Sequence, residues 1–263
     1  MFISDLEKKK SLKFINNGYL VCKITEKKSL EWITDFFTKF IKKKIPKVKN
    51  KEKNYIFNNL HKILSSNNLN SFRLSLLKEI NGNINFKFHY YNVSKEILEN
   101  IVGNELAMQK NINLSIQFPK DKSSLLTMHA DTWSGDSPFE AVIWLPLVNV
   151  SKTKSMYILP QKKYSRFLKV LKKNKSKSTL EIYKKLKKDL IWLKVSYGEL
   201  VIFNQSLPHG NIVNKEKETR LSMNCRFKGL YTPYGTKEFG DFFTPITMKA
   251  ATKIGINYKL PKI

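Results

Sequence analysis

Two histidines and one aspartate carry the strongest chemical signal in the chain. His129-Ala130-Asp131 sets an imidazole and a carboxylate two residues apart. On extended backbone, side chains alternate between faces, so these two point the same way. His209 lies far downstream, directly before Gly210. Two donors from one strand and an imidazole from another can occupy one face of an octahedron. This two-histidine, one-carboxylate facial triad suits ferrous iron and leaves three coordination positions open. A structural zinc site would close four positions and would usually recruit cysteine. Eleven residues after His209 comes Arg220, and two later Ser222, on the same strand face. An oxoacid that chelates a metal at one end needs a cation for its far carboxylate. Arginine supplies one with paired, charge-assisted hydrogen bonds. The plainer reading of Arg220 is a surface ion pair with Glu216 or Glu218.

The elements that must hold these residues are legible in outline. From Asn111 onward the chain reads as short alternating strands separated by turns. Ile112, Leu114, Ile116 and Phe118 alternate with polar residues, and Pro119-Lys120-Asp121-Lys122 turns the chain. Leu125 to Asp131 reads as a strand, as do Ala141 to Val148, Ser155 to Leu159, Leu200 to Phe203 and Thr219 to Phe227. On the last, Leu221, Met223, Cys225 and Phe227 oppose Arg220, Ser222, Asn224 and Arg226. Cys225 is therefore a core candidate. Arg226 is a candidate for substrate or for a structural ion pair. Many short, regularly spaced strands predict a double-sheet roll. The fold class is α+β with a mainly β core.

Upstream, residues 15–23 read as a strand. Leu30, Ile33, Phe36, Phe37, Phe40 and Ile41 predict a helix ended by Pro46. Residues 47–60, polar and rich in Asn and Lys, read as a loop. Leu60 to Leu77 reads as more helix, and Asn81-Gly82-Asn83 as a turn. Residues 161–190 form a Lys-rich insertion with apolar positions at Phe167, Leu168, Leu171, Leu180, Tyr183, Leu186 and Leu190. It reads as one or two surface helices, either a solvated cover or a lid over the site. His61 and His89 lack acidic partners at ligand spacing and read as structural.

Composition bounds the setting. The 263 residues carry a formal charge of +27, from 48 lysines and arginines against 21 acids. Only Arg73, Arg166, Arg220 and Arg226 are arginines. Lysine, asparagine and isoleucine abound together, as an AT-rich coding sequence supplies them. Much of the charge therefore reads as solvated surface, and no nucleic-acid partner is expected. A nucleotide sugar or an anionic glycan would suit a genuine anionic partner equally well. No apolar run is long enough for a transmembrane helix. The N-terminus from Met1-Phe2 lacks the order of a signal peptide. Two cysteines form no disulfide framework, which points to a cytoplasmic protein.

A longer pattern runs through these residues. His129-Ala-Asp131-Thr132-Trp133-Ser134-Gly135-Asp136-Ser137-Pro138-Phe139-Glu140 is followed by Val142-Ile-Trp-Leu-Pro-Leu-Val148 and Met156-Tyr-Ile-Leu-Pro160. Gly198-Glu-Leu-Val-Ile-Phe203, Leu207-Pro-His209-Gly210 and Arg220-Leu-Ser-Met-Asn-Cys-Arg-Phe227 continue it. The stretch resembles the phytanoyl-CoA dioxygenase-like 2-oxoglutarate oxygenases. It is most similar to the bacterial group found in sporadic carbohydrate-biosynthesis gene clusters. Met156-Tyr157 stands where relatives often have glycine, a difference expected to alter a turn.

The resemblance implies a double-stranded β-helix (jelly roll), Fe(II) held by His129, Asp131 and His209, and 2-oxoglutarate oxidised to succinate with O2. Arg220 and Ser222 would anchor the cosubstrate, and Gln117 or Asn113 on the neighbouring strand could hydrogen-bond it. Thr132, Trp133, Ser134 and Asp136 would follow the first ligands at the cavity mouth. Trp133 would either stack on a sugar ring or pack the loop, and Asp136 would accept sugar hydroxyls. Residues 1–263 then form a single oxygenase domain. It comprises an N-terminal α/β support (1–105), a jelly-roll core (106–230) carrying the insertion, and a C-terminal extension (231–263). The substrate class is a sugar or sugar-linked intermediate of surface carbohydrate biosynthesis, by analogy alone. Two other readings compete: a cupin-type metal-dependent isomerase or epimerase, and a non-catalytic basic jelly roll that binds anionic polymers.

Overall fold

Ser4 opens the first helix by accepting a hydrogen bond from the Glu7 amide, with Asp5 and Glu7 in the first turn. This helix, α1 (Asp5–Asn17), ends at Gly18, whose φ of 76° makes a left-handed C-cap. The expected strand over 15–23 is thereby shortened. Ile15 to Asn17 belong to α1, and β1 runs Tyr19–Lys23. The computed structural model describes residues 3–173 and 178–261. Met1 and Phe2 of the N-terminal reading and residues 174–177 of the insertion lie outside the described residues.

The amphipathic helix α2 (Lys27–Lys44) buries Leu30, Ile33, Phe37, Phe40 and Ile41 along one face, as the spacing predicts. The predicted loop at 47–60 is largely helical instead. It forms a 3-10 turn at Pro46–Val48, then α3 (Lys53–Asn58), and α4 (Leu60–Ile63) follows. Tertiary contact overrides the polar composition there. Ile56, Phe57 and Leu60 are buried, and the Asn58 carbonyl accepts from the Thr219 amide at 2.8 Å. Three more helices complete this layer: α5 (Ser66–Gly82), α6 (Ile84–Asn92) and α7 (Lys95–Ile101).

The β core follows as β2 (Leu106–Gln109), β3 (Asn113–Gln117), β4 (Glu140–Pro146) and β5 (Tyr157–Ile158). The insertion forms α8 (Tyr164–Lys173) and α9 (Thr179–Leu186). Then come β6 (Ile191–Trp192), β7 (Glu199–Asn204), β8 (His209–Gly210), β9 (Arg220–Gly229), β10 (Phe243–Thr247) and α10 (Ala250–Ile256). A seven-stranded sheet runs β1-β7-β4-β9-β2-β10, with β3 also on β9, and a three-stranded sheet runs β6-β5-β8. All pairings of named strands are antiparallel. Strands β2 and β10 escape the sequence reading. The first is buried along its whole length and does not alternate. The second lies in the segment expected as an extension, yet pairs with β2.

The two faces of β9 separate the molecule's tasks. Leu221, Met223, Cys225 and Phe227 join the main core, and the Phe227 ring lies parallel to Tyr90 of α6. The Tyr90 hydroxyl donates to the Ile143 carbonyl at 2.9 Å, fastening the helical layer to β4. The opposite face of β9 looks toward the small sheet, where Arg226 meets Asp131. This is a double-stranded β-helix with N-terminal helices packed on the back of its larger sheet and α8 and α9 packed against the smaller one. Among the described residues no helix is long and apolar enough to cross a membrane. Cys22 and Cys225 are both free.

Candidate metal centre

The backbone brings the three predicted ligands together. The predicted strand over 125–131 does not form a ladder; it is an extended run joined to β8 by one bridge. His129 and His209 exchange amide-to-carbonyl bonds of 2.9 and 2.8 Å, and the Asp131 amide donates to the Gln205 carbonyl at 3.0 Å. Ala130 keeps extended angles, φ −123° and ψ 138°. Alternation therefore needs only this short extended run to put His129 and Asp131 on one side. After Asp131 the chain closes into a 3-10 turn through Ser134, ended by Gly135 at φ 87°.

His129 Nε2 lies 3.5 Å from Asp131 Oδ1, and His209 Nε2 lies 3.8 Å from it. One donor atom from each of the three residues falls within 4.8 Å of the others. Donors about 2.1 Å from a common ion and mutually cis sit about 3 Å apart, so the set closes on one metal once these separations shorten. Both imidazoles are oriented for the task. His129 Nδ1 sits 2.7 Å from the Thr127 carbonyl and His209 Nδ1 sits 2.8 Å from the Leu207 carbonyl. A carbonyl only accepts, so in the neutral ring each Nδ1 carries the proton and leaves the Nε2 lone pair for a metal.

The two imidazoles differ in their electrostatics. Burial pushes the His209 imidazole down to about 4, against the pull of Asp131, so it stays neutral and able to ligate. Burial pulls the His129 imidazole down too, but its hydrogen bond to Asp131 and the Thr127 carbonyl outweigh that and leave it raised. For Asp131, burial is overcome by His129, His209 and Arg226, which hold its carboxyl at about 2.

Arg226 is placed by the structure as an ion-pair partner of this carboxylate. Its Nη2 lies 3.0 Å from Asp131 Oδ2, and its Nε lies 3.3 Å from Asp136 Oδ1. The Nε also donates to Gln205 Oε1 and Nη1 to Gln109 Oε1, each at 3.1 Å. Gln205 in turn donates to Glu140 Oε2 at 2.8 Å. Asp136 is thus turned inward and buried, where the sequence reading had it accepting sugar hydroxyls. Trp133 stacks on Phe167 of α8, with ring centroids 5.8 Å apart and planes 16° apart. One of its faces is therefore used in packing the loop. None of Thr132, Trp133, Ser134 and Asp136 lines the cavity beside the triad.

That cavity has a volume of about 400 Å³, within the usual span for small-molecule sites. Arg220 reaches it from β9 and is only 3% exposed. Neither Glu216 nor Glu218 pairs with it. Glu218 is bound by Lys154 at 2.7 Å, and Glu216 accepts from the Thr153 hydroxyl. Arg220 donates instead to the Ser155 carbonyl and to Ser115 Oγ, at 3.2 and 3.0 Å. No carboxylate lies within ion-pair reach of it among the described residues, and burial alone lowers its guanidinium to about 10. Arg220 Nε, Ser222 Oγ, Ser155 Oγ and Gln117 Oε1 are all buried without hydrogen-bond partners. A buried cation beside the orphaned Ser222 and Ser155 hydroxyls has the donors to take an anion, whereas Gln117 Oε1 is an acceptor.

The register of β3 against β9 explains this cluster: Gln117 faces Arg220, Ser115 faces Ser222 and Asn113 faces Asn224. Gln117 Nε2 is held by the Ile212 carbonyl, and Asn113 bonds to Asn224. Sequence reasoning missed Ser115, although it alternates between Asn113 and Gln117 and was findable. It also missed Gln205 and Arg73, which carry no local signal. His61 and His89 stay away from the triad, bonded to Thr219 and Ser29.

Gly210 secures the second imidazole. A Cβ there would lie 2.6 Å from the Tyr157 hydroxyl, 2.8 Å from the Leu126 carbonyl and 3.0 Å from that of Thr127. Tyr157, expected at an altered turn, lies in β5, and its hydroxyl fills the space over this glycine. Gly210→Ala is therefore expected to cost about 1–3 kcal/mol and to weaken metal binding by moving His209. A thermal melt and a Mn(II) titration would check it; an unchanged pair would show that the strand has slack.

No protein-family model matches the chain, and no curated protein matches its sequence. Solved structures do match it. A non-heme monooxygenase, the ThoJ–nickel complex, shares 11% identity over 92% of this chain and 85% of its own, at TM-score 0.57. EctD from S. alaskensis, with 2-oxoglutarate and 5-hydroxyectoine, shares 10% over 88% and 78%, at TM-score 0.56. HygX from Streptomyces hygroscopicus, with nickel and 2-oxoglutarate bound, shares 9% over 91% and 92%, at TM-score 0.51. At such identities the likeness is one of architecture: this chain has the fold of these non-heme metal enzymes.

Proposed function

We propose that this protein is an Fe(II)- and 2-oxoglutarate-dependent dioxygenase, with the whole chain working as one oxygenase domain. One observation carries the reading. A triad of two imidazoles and a carboxylate stands beside a buried arginine that has no carboxylate partner among the described residues. His129, Asp131 and His209 would hold the iron. Arg220, with Ser222 and Ser115 around it, would bind the far carboxylate of 2-oxoglutarate, and Asn113 would supply a further polar contact; Gln117, whose Nε2 is taken by the Ile212 carbonyl, offers only an acceptor there and would not bond that anion. When bound, iron and 2-oxoglutarate would supply the oxidising power that splits O2, with one oxygen atom ending in succinate and CO2 released. The chain's own residues position and enclose these groups. The Thr127 and Leu207 carbonyls fix the imidazoles, and Arg226 keeps Oδ2 of Asp131 engaged so that Oδ1 faces the metal side. Phe203, whose ring is 4.9 Å from that of His209, and Trp144 wall the cavity with apolar surface.

The fold shared with ThoJ, EctD and HygX supports this reading. A cupin-type isomerase would give Arg220 no task, and a polymer-binding surface would not need its cation buried. The substrate we propose is a sugar or sugar-linked intermediate, such as a nucleotide sugar, on the strength of the resemblance to the carbohydrate-cluster oxygenases. A cytoplasmic location belongs to the same reading, and two free cysteines suit a reducing compartment. The test is an anaerobic titration with Fe(II) and 2-oxoglutarate. Wild type is expected to develop a weak visible charge-transfer band, and His129→Ala to lose it. If wild type shows no band and forms no succinate on admitting air, the assignment fails.

A further inference from the structure

Three of the chain's four arginines line the cavity at the metal centre, and none of its lysines does among the described residues. In a protein whose positive charge is overwhelmingly lysine, that selection calls for a cause. Two of the three have tasks. Arg226 is committed to Asp131 and Asp136, and Arg220 serves the cosubstrate in the proposed function. Arg73 is left over. It lies in α5, which reciprocal bonds between the Asn81 amide and the backbone of Ile112 hold against the start of β3. Arg73 Nη2 donates to Asn70 Oδ1 at 2.8 Å, but its Nε is buried without a partner. No carboxylate lies within ion-pair reach of it among the described residues. Among the described residues Asp131 is the only acid in the cavity lining, and it is already engaged. The remaining polar lining near these residues is hydroxyl and amide: Ser123, Ser124, Asn113 and Asn224.

Iron, the triad carboxylate, Arg226 with Asp136, and Arg220 with a bound dicarboxylate together balance their charges. Arg73 then stands at the cavity as an unmatched cation with one N–H unpaired. Such a donor suits an oxyanion. We propose that Arg73 anchors a phosphate or carboxylate carried by the substrate, which makes the substrate an anion. The proposal rests on the oxygenase reading and specifies its substrate class.

The small number of arginines makes a direct test possible. Four side-chain Nε–H signals are expected in a nitrogen-edited NMR spectrum of the full chain, loaded with Zn(II) and saturating 2-oxoglutarate. Arg73→Lys, which keeps the charge, assigns the signal. Inorganic phosphate and acetate are then titrated separately in moderate salt. A saturable movement of the Arg73 signal, with Arg166 on the surface as reference, supports the proposal, and the more effective anion names the group. Arg73→Gln is expected to weaken that anion about tenfold, and the charge-matched Arg166→Gln to leave it unchanged. The proposal is overturned if neither anion moves the Arg73 signal, or if it moves only in step with Arg166. The addition of 2-oxoglutarate itself should move the Arg220 signal. A fixed Arg220 signal would remove the oxygenase reading, while the Arg73 response to phosphate is read independently of it.

Discussion

Arg220→Ala is expected to raise the 2-oxoglutarate concentration for half-saturation by roughly 100-fold while leaving metal affinity close to wild type. Two charge-assisted hydrogen bonds to a carboxylate in a buried site are worth about 3 kcal/mol or more, which converts to that factor. The split between cosubstrate and metal follows from geometry, because Arg220 contacts Ser155 and Ser115 rather than the triad. A second consequence separates this residue from an ordinary structural arginine. The guanidinium is buried with no countercharge among the described residues, and burial alone lowers its pKa to about 10. It therefore costs the unliganded fold something. Arg220→Met should melt at or above the wild-type temperature in the absence of metal and 2-oxoglutarate. Binding curves by calorimetry and melts by scanning fluorimetry would check both halves. If Arg220→Ala left cosubstrate affinity unchanged, the anion site would lie elsewhere.

Arg226→Ala should behave in the opposite way. Its side chain is 15% exposed and sits between two carboxylates that are more buried still. Removing it strands Asp131 and Asp136 without their cation, and breaking a buried pair from one side costs about 3–5 kcal/mol. For a chain of this size that corresponds to a melting temperature lower by roughly 10 °C. Gln205 and Gln109 also lose the donor that both of them accept from. A divalent ion would restore part of the loss, because it engages Asp131 in the folded state only. The larger thermal rise on adding Mn(II) is therefore expected in the variant. A metal-free variant that melts with wild type would show that the carboxylates do not depend on the arginine.

How much of this was legible depended on how local each cause is. His129 and Asp131 needed only extended backbone between them, so their shared face survived even though the predicted ladder over 125–131 is a single bridge. Arg220 and Ser222 needed one strand, and β9 supplies it. Arg226 lies on the same predicted face, yet its partner was not readable. Pairing it with Asp131 requires knowing that β9 crosses beneath the run before the 3-10 turn. Arg73 was hidden more deeply, since nothing near it in sequence says that α5 leans on β3. The segment at 47–60 misled through composition. Val48, Ile56, Phe57 and Leu60 are buried almost completely among lysines and asparagines that are exposed or half-buried. Strand β2 was missed for the reverse reason: with both faces covered, it has no alternation to show.

The stack of Trp133 on Phe167 ties two distant parts of the chain into one mechanical unit. Trp133 sits two residues beyond the Asp131 carboxylate in the same short turn, and Phe167 belongs to the first helix of the Lys-rich insertion. That helix therefore acts as a brace for the loop beside the triad, whatever else its lysines do in solvent. Shortening the insertion to trim its charge would also withdraw the ring that steadies the aspartate.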